Sequence, residues 1–191
     1  MSDAPTFILV AGPNGAGKST MAPALLRDEY GAIDFVNADD IAKGLSSFNP
    51  ESVAVTAGRI LLERIHQLSA SRQTFATETT LSGRSYTKHI VTLKAKGYRF
   101  DLLFLWLPSS ELAISRVAQR VSLGGHNIPE PVIRRRYESG LSNFQSLYRP
   151  LADSWKFFDC STSVPLLVAY GTKDSEVALQ PELWHTITGG L

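Results

Sequence analysis

Residues 12–20 read GPNGAGKST directly after an apolar run at 7–11, and each residue type in that order has a mechanical reason to hold phosphate. Gly12, Gly15 and Gly17 carry no Cβ, so the backbone can turn tightly and point successive N–H groups inward at phosphate oxygens. Pro13, Asn14 and Ala16 complete the loop, and Lys18 reaches the β- and γ-phosphates of a nucleotide. Ser19 offers its hydroxyl to Mg²⁺, with Thr20 beside it. A helix starting near Lys18 adds its positive N-terminal end, which favours a bound anion. The expected ligands are ATP and Mg²⁺.

Moving a phosphoryl group requires, besides the cradle, a carboxylate for the attacking hydroxyl and cations near the γ-phosphate. FVNADD at 35–40 puts acids just past a strand end, where ligands bind in open α/β sheets. Asp39 is the candidate general base and Asn37 a candidate hydrogen-bonding group for the acceptor. The competing reading is that Asp39 or Asp40 caps a helix over 41–45. Glu78 ends a further strand, where it would serve the metal and the acceptor together with Thr79 and Thr80. Thr80 or Ser82 could instead cap the helix that runs through Ile90 and Leu93. Cations come from 116–136, where Arg116, Arg120, Arg134, Arg135 and Arg136 lie on two helices joined by SLGGHNIP. That joint, glycine-rich then proline-stiffened, predicts a lid over 122–130. Arg120 and Arg136 are the expected phosphate clamps and Arg116 a further nucleotide contact, while His126 has two readings, plain polar surface or a contact to acceptor or phosphate when the lid closes.

The elements that must position these residues alternate, strand then helix, as in a mostly parallel sheet covered on both faces. Strands are predicted at 7–11, 35–36, 74–77, 100–107 and 156–159. Asn49-Pro50-Glu51 reads as a helix start, continued by Val53, Ala57, Ile60, Leu61, Ile65 and Leu68 facing inward. Ser109 or Ser110 caps a helix with Ile114, Val117 and Val121 inward. Pro131 opens another with Ile133, Tyr137, Leu141 and Phe144 inward. The segments 164–170 and 177–179 predict a hairpin, followed by a short helix near 182–188. With 191 residues, 43% of them hydrophobic, and no repeat or linker, the chain is expected to form one domain over 1–191, a P-loop kinase fold with a lid and a C-terminal hairpin.

Composition removes several classes. A net charge of +1 gives no overall pull toward nucleic acid or a membrane surface, and the one cysteine, Cys160, allows no internal disulfide. The first six residues lack a basic stretch followed by an apolar one, and the longest apolar run is too short to span a bilayer, so a cytoplasmic protein is expected. No Asn-Lys-x-Asp segment is present to read guanine.

In order and spacing, GPNGAGKST, NADDIA, ETTLSGRS, GYRFDLLFLWL and RVAQRVSLGGHNIPEPVIRRRY resemble the zeta-toxin family of P-loop kinases, over about 7–159. The resemblance implies ATP-dependent phosphorylation of a sugar hydroxyl, in the best-known members that of UDP-N-acetylglucosamine. It makes Lys18 the loop lysine, Asp39 the catalytic aspartate, Glu78 the acceptor-binding glutamate and the arginines of 116–136 the clamps. It also implies an antitoxin, which here would be a separate partner because none is recognisable ahead of Phe7. The Glu78-Thr79-Thr80 segment and the Gly-Gly-His lid depart from family toxins with an established sugar-nucleotide substrate, which bears on the acceptor. A polynucleotide-end kinase and a nucleotide-dependent interaction module are the alternatives; the second would leave Asp39 and Glu78 without a purpose.

Overall fold

The apolar run ahead of the glycine-rich loop is buried on both faces, so it must lie in the middle of a covered sheet. A computed structural model, which describes residues 4–31 and 33–189, places it there. The start of the N-terminal stretch (Met1 to Asp3), Ala32, Gly190 and Leu191 lie outside the described residues. In chain order the elements are β1 (Thr6–Ala11), α1 (Lys18–Tyr30), β2 (Asp34–Val36), α2 (Ala38–Leu45), a 3₁₀ turn (Pro50–Val53), α3 (Ala54–Ala70), β3 (Phe75–Thr79), α4 (Ser85–Ala95) and β4 (Arg99–Trp106). They continue with α5 (Ser110–Ser122), α6 (Glu130–Asn143), a π-helical turn (Phe144–Tyr148), a 3₁₀ turn (Arg149–Leu151), β5 (Ser154–Asp159), β6 (Leu166–Thr172), β7 (Glu176–Ala178) and α7 (Pro181–Gly189).

Among the described residues the strands form one seven-stranded sheet in the order β2-β3-β1-β4-β5-β6-β7. The pairs from β2 to β5 are parallel; β6 and β7 are antiparallel and form the predicted hairpin. β1 lies between β3 and β4, so the chain leaves it toward one side of the sheet and later returns on the other. The crevice beyond its C-terminal end is therefore a topological switch point, the usual place for a ligand in such sheets.

Side chains alternate across β1 into two cores. Phe7, Leu9 and Ala11 join Phe75, Phe100, Phe104, Phe144 and Phe157 on one face. Ile8 and Val10 join Ala22 and Leu26 of α1, Val117 of α5 and Ile133 of α6 on the other. α6 crosses the C-terminal edge of the sheet, contributing Ile133 to one core while Leu141 and the following Phe144 reach the other.

Several local expectations are corrected. Asn37, not Asp39 or Asp40, caps α2: its Oδ1 accepts from the Asp39 N–H at 2.8 Å, and the helix begins at Ala38. Neither Thr80 nor Ser82 caps α4; their hydroxyls bond each other at 2.9 Å, and the helix starts only at Ser85. The Asn49-Pro50-Glu51 start makes a 3₁₀ turn before α3, and Ile60 points outward at 37% exposure, one position off the stripe of Ala57, Leu61, Ile65 and Leu68.

The turn after β3 is held under strain. Leu81 is buried with φ +55°, costly for a branched side chain. The Asn143 amide donates to its carbonyl at 2.7 Å, and the Tyr148 hydroxyl donates to the Gly83 carbonyl at 2.7 Å. Gly140 of α6 approaches so closely that an added Cβ would lie 2.5 Å from the Thr80 carbonyl oxygen. Gly140→Ala should therefore destabilise the protein by about 1–3 kcal/mol in chemical denaturation. Gly58→Ala, at an α3 position with open space around it, should stabilise it by about 0.4–1 kcal/mol.

Candidate active site

The glycine-rich loop takes the backbone its composition demands: Gly12, Gly15 and Gly17 have φ of +143°, +81° and +82°. Space is as restrictive as torsion at Gly12, where a Cβ would lie 2.1 Å from the Leu105 carbonyl oxygen of β4. Gly17, in the left-handed conformation, precedes α1, and Lys18 is its first residue.

Lys18 is buried, 8% exposed, and its ammonium donates to the Gly12 and Pro13 carbonyls at 3.0 and 3.1 Å. Burial pulls its pKa below the ordinary value of 10.5. The carboxylates of Glu78 and Asp39 oppose that shift, and the guanidiniums of Arg120 and Arg136 add to it. One buried cation thus feels four of the residues singled out in the sequence, which come from β3, α2, α5 and α6.

Glu78 accepts a hydrogen bond from Ser19 Oγ at 2.9 Å. Burial raises its pKa; Lys18 and the Ser19 bond counter this, while Asp39 and Asp40 reinforce it. Ser19 and Glu78 together present hard oxygen donors, the set suited to Mg²⁺. Asp39 lies exposed in the first turn of α2, released from capping by Asn37, whereas Asp40 faces Lys43 at 3.5 Å. Asn37 is 5% exposed, and its Nδ2 has no hydrogen-bond partner among the described residues. Such a buried, unsatisfied donor calls for an acceptor from a ligand or water.

The arginines divide. Arg136 Nη1 lies 3.4 Å from Asn14 Oδ1, at the loop itself. Arg120 donates to the His126 carbonyl at 2.8 Å, so it is engaged by the segment predicted as lid, an irregular stretch between α5 and α6. Arg116 donates to the carbonyls of Cys160 and Ser161 at 2.7 Å each and of Gly15 at 3.4 Å, fastening the loop after β5 to the phosphate loop. Arg134 pairs with Glu111 and Ser110, away from this cluster. His126 Nε2 lies 3.1 Å from Glu51 Oε1.

Thr79 and Thr80 lie at the end of β3 and in the turn that follows it. The Thr79 carbonyl accepts from the Gly12 N–H at 3.2 Å and its hydroxyl from the Leu81 N–H at 3.1 Å. Cys160 is fully buried, and burial pushes its thiol up to about 12. Sequence reasoning missed Glu51 and Asn143, whose partners lie at sequence separations of 75 and 62 and leave no local trace. The Asn37 cap did have a signal, since asparagine just before a helical stretch is among the preferred capping residues.

No helix among the described residues is long and apolar enough to cross a membrane. A protein of Haemophilus influenzae, described as uncharacterized, is 31% identical over 130 residues, which is 68% of this chain and 91% of that one. A chain of the AvrRxo1-ORF1:AvrRxo1-ORF2 complex with sulphate ions superposes with a TM-score of 0.75 at 20% identity, over 96% of this chain and 63% of that one, so this chain spans less than two thirds of it. A chain from the PezAT chromosomal toxin-antitoxin system of Streptococcus pneumoniae superposes with a TM-score of 0.69 at 18% identity, over 96% of this chain and 78% of that one. The fold is that of the P-loop kinases. The sequence profile of the family described as Zeta toxin matches residues 1–158, and the chain accordingly belongs to the zeta-toxin family.

Proposed function

We propose that the protein is an ATP-dependent kinase whose acceptor is a hydroxyl of a sugar nucleotide such as UDP-N-acetylglucosamine, or of a similar metabolite. The observation that carries the reading is geometric: the buried Lys18 ammonium sits on the Gly12 and Pro13 carbonyls, the next residue Ser19 is bonded to Glu78, and Arg136 reaches Asn14 of the same loop. A binding module has no use for an exposed carboxylate released from helix capping beside a phosphate cradle. A solved AvrRxo1-ORF1:-ORF2 complex holds ATP and shares the fold, which supports the choice of nucleotide.

In this reading the loop N–H groups and Lys18 hold the β- and γ-phosphates. The acceptor hydroxyl oxygen bonds to the γ-phosphorus as the bond to the β,γ-bridging oxygen breaks, so ADP leaves and the hydroxyl proton passes to Asp39. Arg120 and Arg136 meet the charge that develops on the transferred group. Ser19 and Glu78 would hold Mg²⁺, which neutralises phosphate charge when bound. Asn37 Nδ2 donates to an oxygen of the acceptor. Arg116 serves as a strut between the phosphate loop and the loop after β5, as its three carbonyl partners suggest. The whole chain acts as one cytoplasmic domain. A separate antitoxin protein neutralises it, a reading supported by the PezAT likeness.

Incubated with Mg²⁺, ATP and UDP-N-acetylglucosamine or related sugar nucleotides, the protein should add one phosphoryl group, detected as a mass shift of the acceptor. Lys18→Met should abolish that shift, and Asp39→Asn should lower turnover about 10²-fold or more with ATP affinity nearly unchanged. Full turnover in folded Asp39→Asn protein would remove the assigned base. Arg116→Lys should raise KM for ATP about tenfold while kcat stays within about twofold, since a shorter side chain with one nitrogen cannot reproduce the fork by which two guanidinium nitrogens take the Cys160 and Ser161 carbonyls separately. A matching fall in kcat would instead make Arg116 a phosphate clamp. Because the Glu78 pKa is raised, the stability this group contributes is present below 4.5 and lost as pH rises through the folded value. Glu78→Gln should therefore melt above the parent protein at pH 7 in the absence of nucleotide, with the difference closing below pH 4.5.

A further inference from the structure

The segment predicted as lid is tied at both ends of the site. Its first turn is shaped around Arg120: the Gly124 N–H donates to the Val121 carbonyl and the Gly125 N–H to the Arg120 carbonyl, both at 2.9 Å. Gly124 has φ +85°, and a Cβ on Gly125 would lie 2.5 Å from Arg120 Cγ, so both glycines are needed for this return. The next residue, His126, uses its two ends differently. Its carbonyl accepts from Arg120, and its imidazole reaches across to Glu51. Glu51 belongs to the 3₁₀ turn that packs against α2, the helix carrying Asp39. A chain of polar contacts thus runs from the acceptor-side turn through the lid to the guanidinium that Lys18 feels.

We propose that Glu51 is a positioning residue: through His126 it latches the lid over the acceptor side and so sets where Arg120 stands. The inference rests on the phosphoryl-transfer reading of the same site. A lid held from the acceptor side keeps water from the γ-phosphate until the acceptor is in place, because an open lid exposes the phosphoryl group to hydrolysis. The latch is weak by construction. Glu51 and His126 side chains are 69% and 40% exposed, and exposed pairs of this kind change an equilibrium by about two- to fivefold. A strong latch would slow release of product, which a lid must also permit.

The test uses the full chain with Mg²⁺ and the β,γ-imido analogue of ATP, reading amide exchange across 122–130. Glu51→Ala should speed exchange at Gly125 and His126 about two- to fivefold with the melting temperature unchanged, and Glu51→Gln, which keeps an oxygen toward the imidazole, should recover part of the protection. In a His126→Ala background, Glu51→Ala should add nothing further. In turnover with ATP itself, Glu51→Ala should raise KM for the acceptor and the share of ATP lost to water, leaving KM for ATP as it was. Unchanged exchange in Glu51→Ala, or effects of the two alanine changes that simply multiply, would overturn the latch. The exchange arm requires no catalysis, so a latch that fails while Lys18→Met is inactive leaves the kinase reading standing, and a fully active Lys18→Met removes the kinase reading whatever the exchange shows.

Discussion

A single ammonium buried at the end of a central strand is the constraint around which this molecule is arranged. Lys18 cannot be placed there without compensation, because desolvating a charge costs more than any one exposed ion pair returns. Two loop carbonyls accept its protons, and carboxylates from β3 and α2 supply negative potential. The carbonyls can turn inward only because the loop residues around them adopt left-handed or otherwise restricted torsions, and because β4 passes within contact distance of Gly12. A nucleotide's phosphates would add negative potential beside the same ammonium, so a bound polyanion favours its charged form.

α6 transmits this arrangement across the sheet edge. Along one helix, Arg136 faces Asn14 of the loop, the Tyr137 hydroxyl donates to the Leu107 carbonyl, Gly140 abuts Thr80 and Asn143 holds Leu81. The glycine-rich loop and the turn after β3 are therefore gauged from one helix. A strained Leu81 backbone persists because several partners fix it at once, and strain of this kind gathers where a site demands a particular turn. The π-helical turn that follows α6 places Tyr148 against Gly83 in the same cause.

Much of this was readable in the chain, and what was not has a common reason. The loop, the parallel order of its strands and the C-terminal hairpin follow from local pattern, since glycine spacing and apolar runs act over a few residues. Asn37 was legible as a cap from its residue type alone; weighing Asp39 as either base or cap obscured that the cap already existed two residues earlier. Arg116 shows the limit. From its helix position it is interchangeable with Arg120, yet its guanidinium is spent on carbonyls 44 and 45 residues away, a pairing no spacing rule announces. Glu51 likewise reads as an ordinary helix-start acid until His126 arrives beside it.

The central claim, that the loop is built around a buried cation whose charge bound phosphate favours, is most directly tested by NMR titration of the Lys18 ammonium in protein labelled at lysine nitrogen. Lys18 should titrate below 10.5 in the free protein, the only direction its burial allows, and move upward when Mg²⁺ and an ATP analogue are added. A Lys18 resonance that titrates at the ordinary lysine value and does not respond to nucleotide would contradict it.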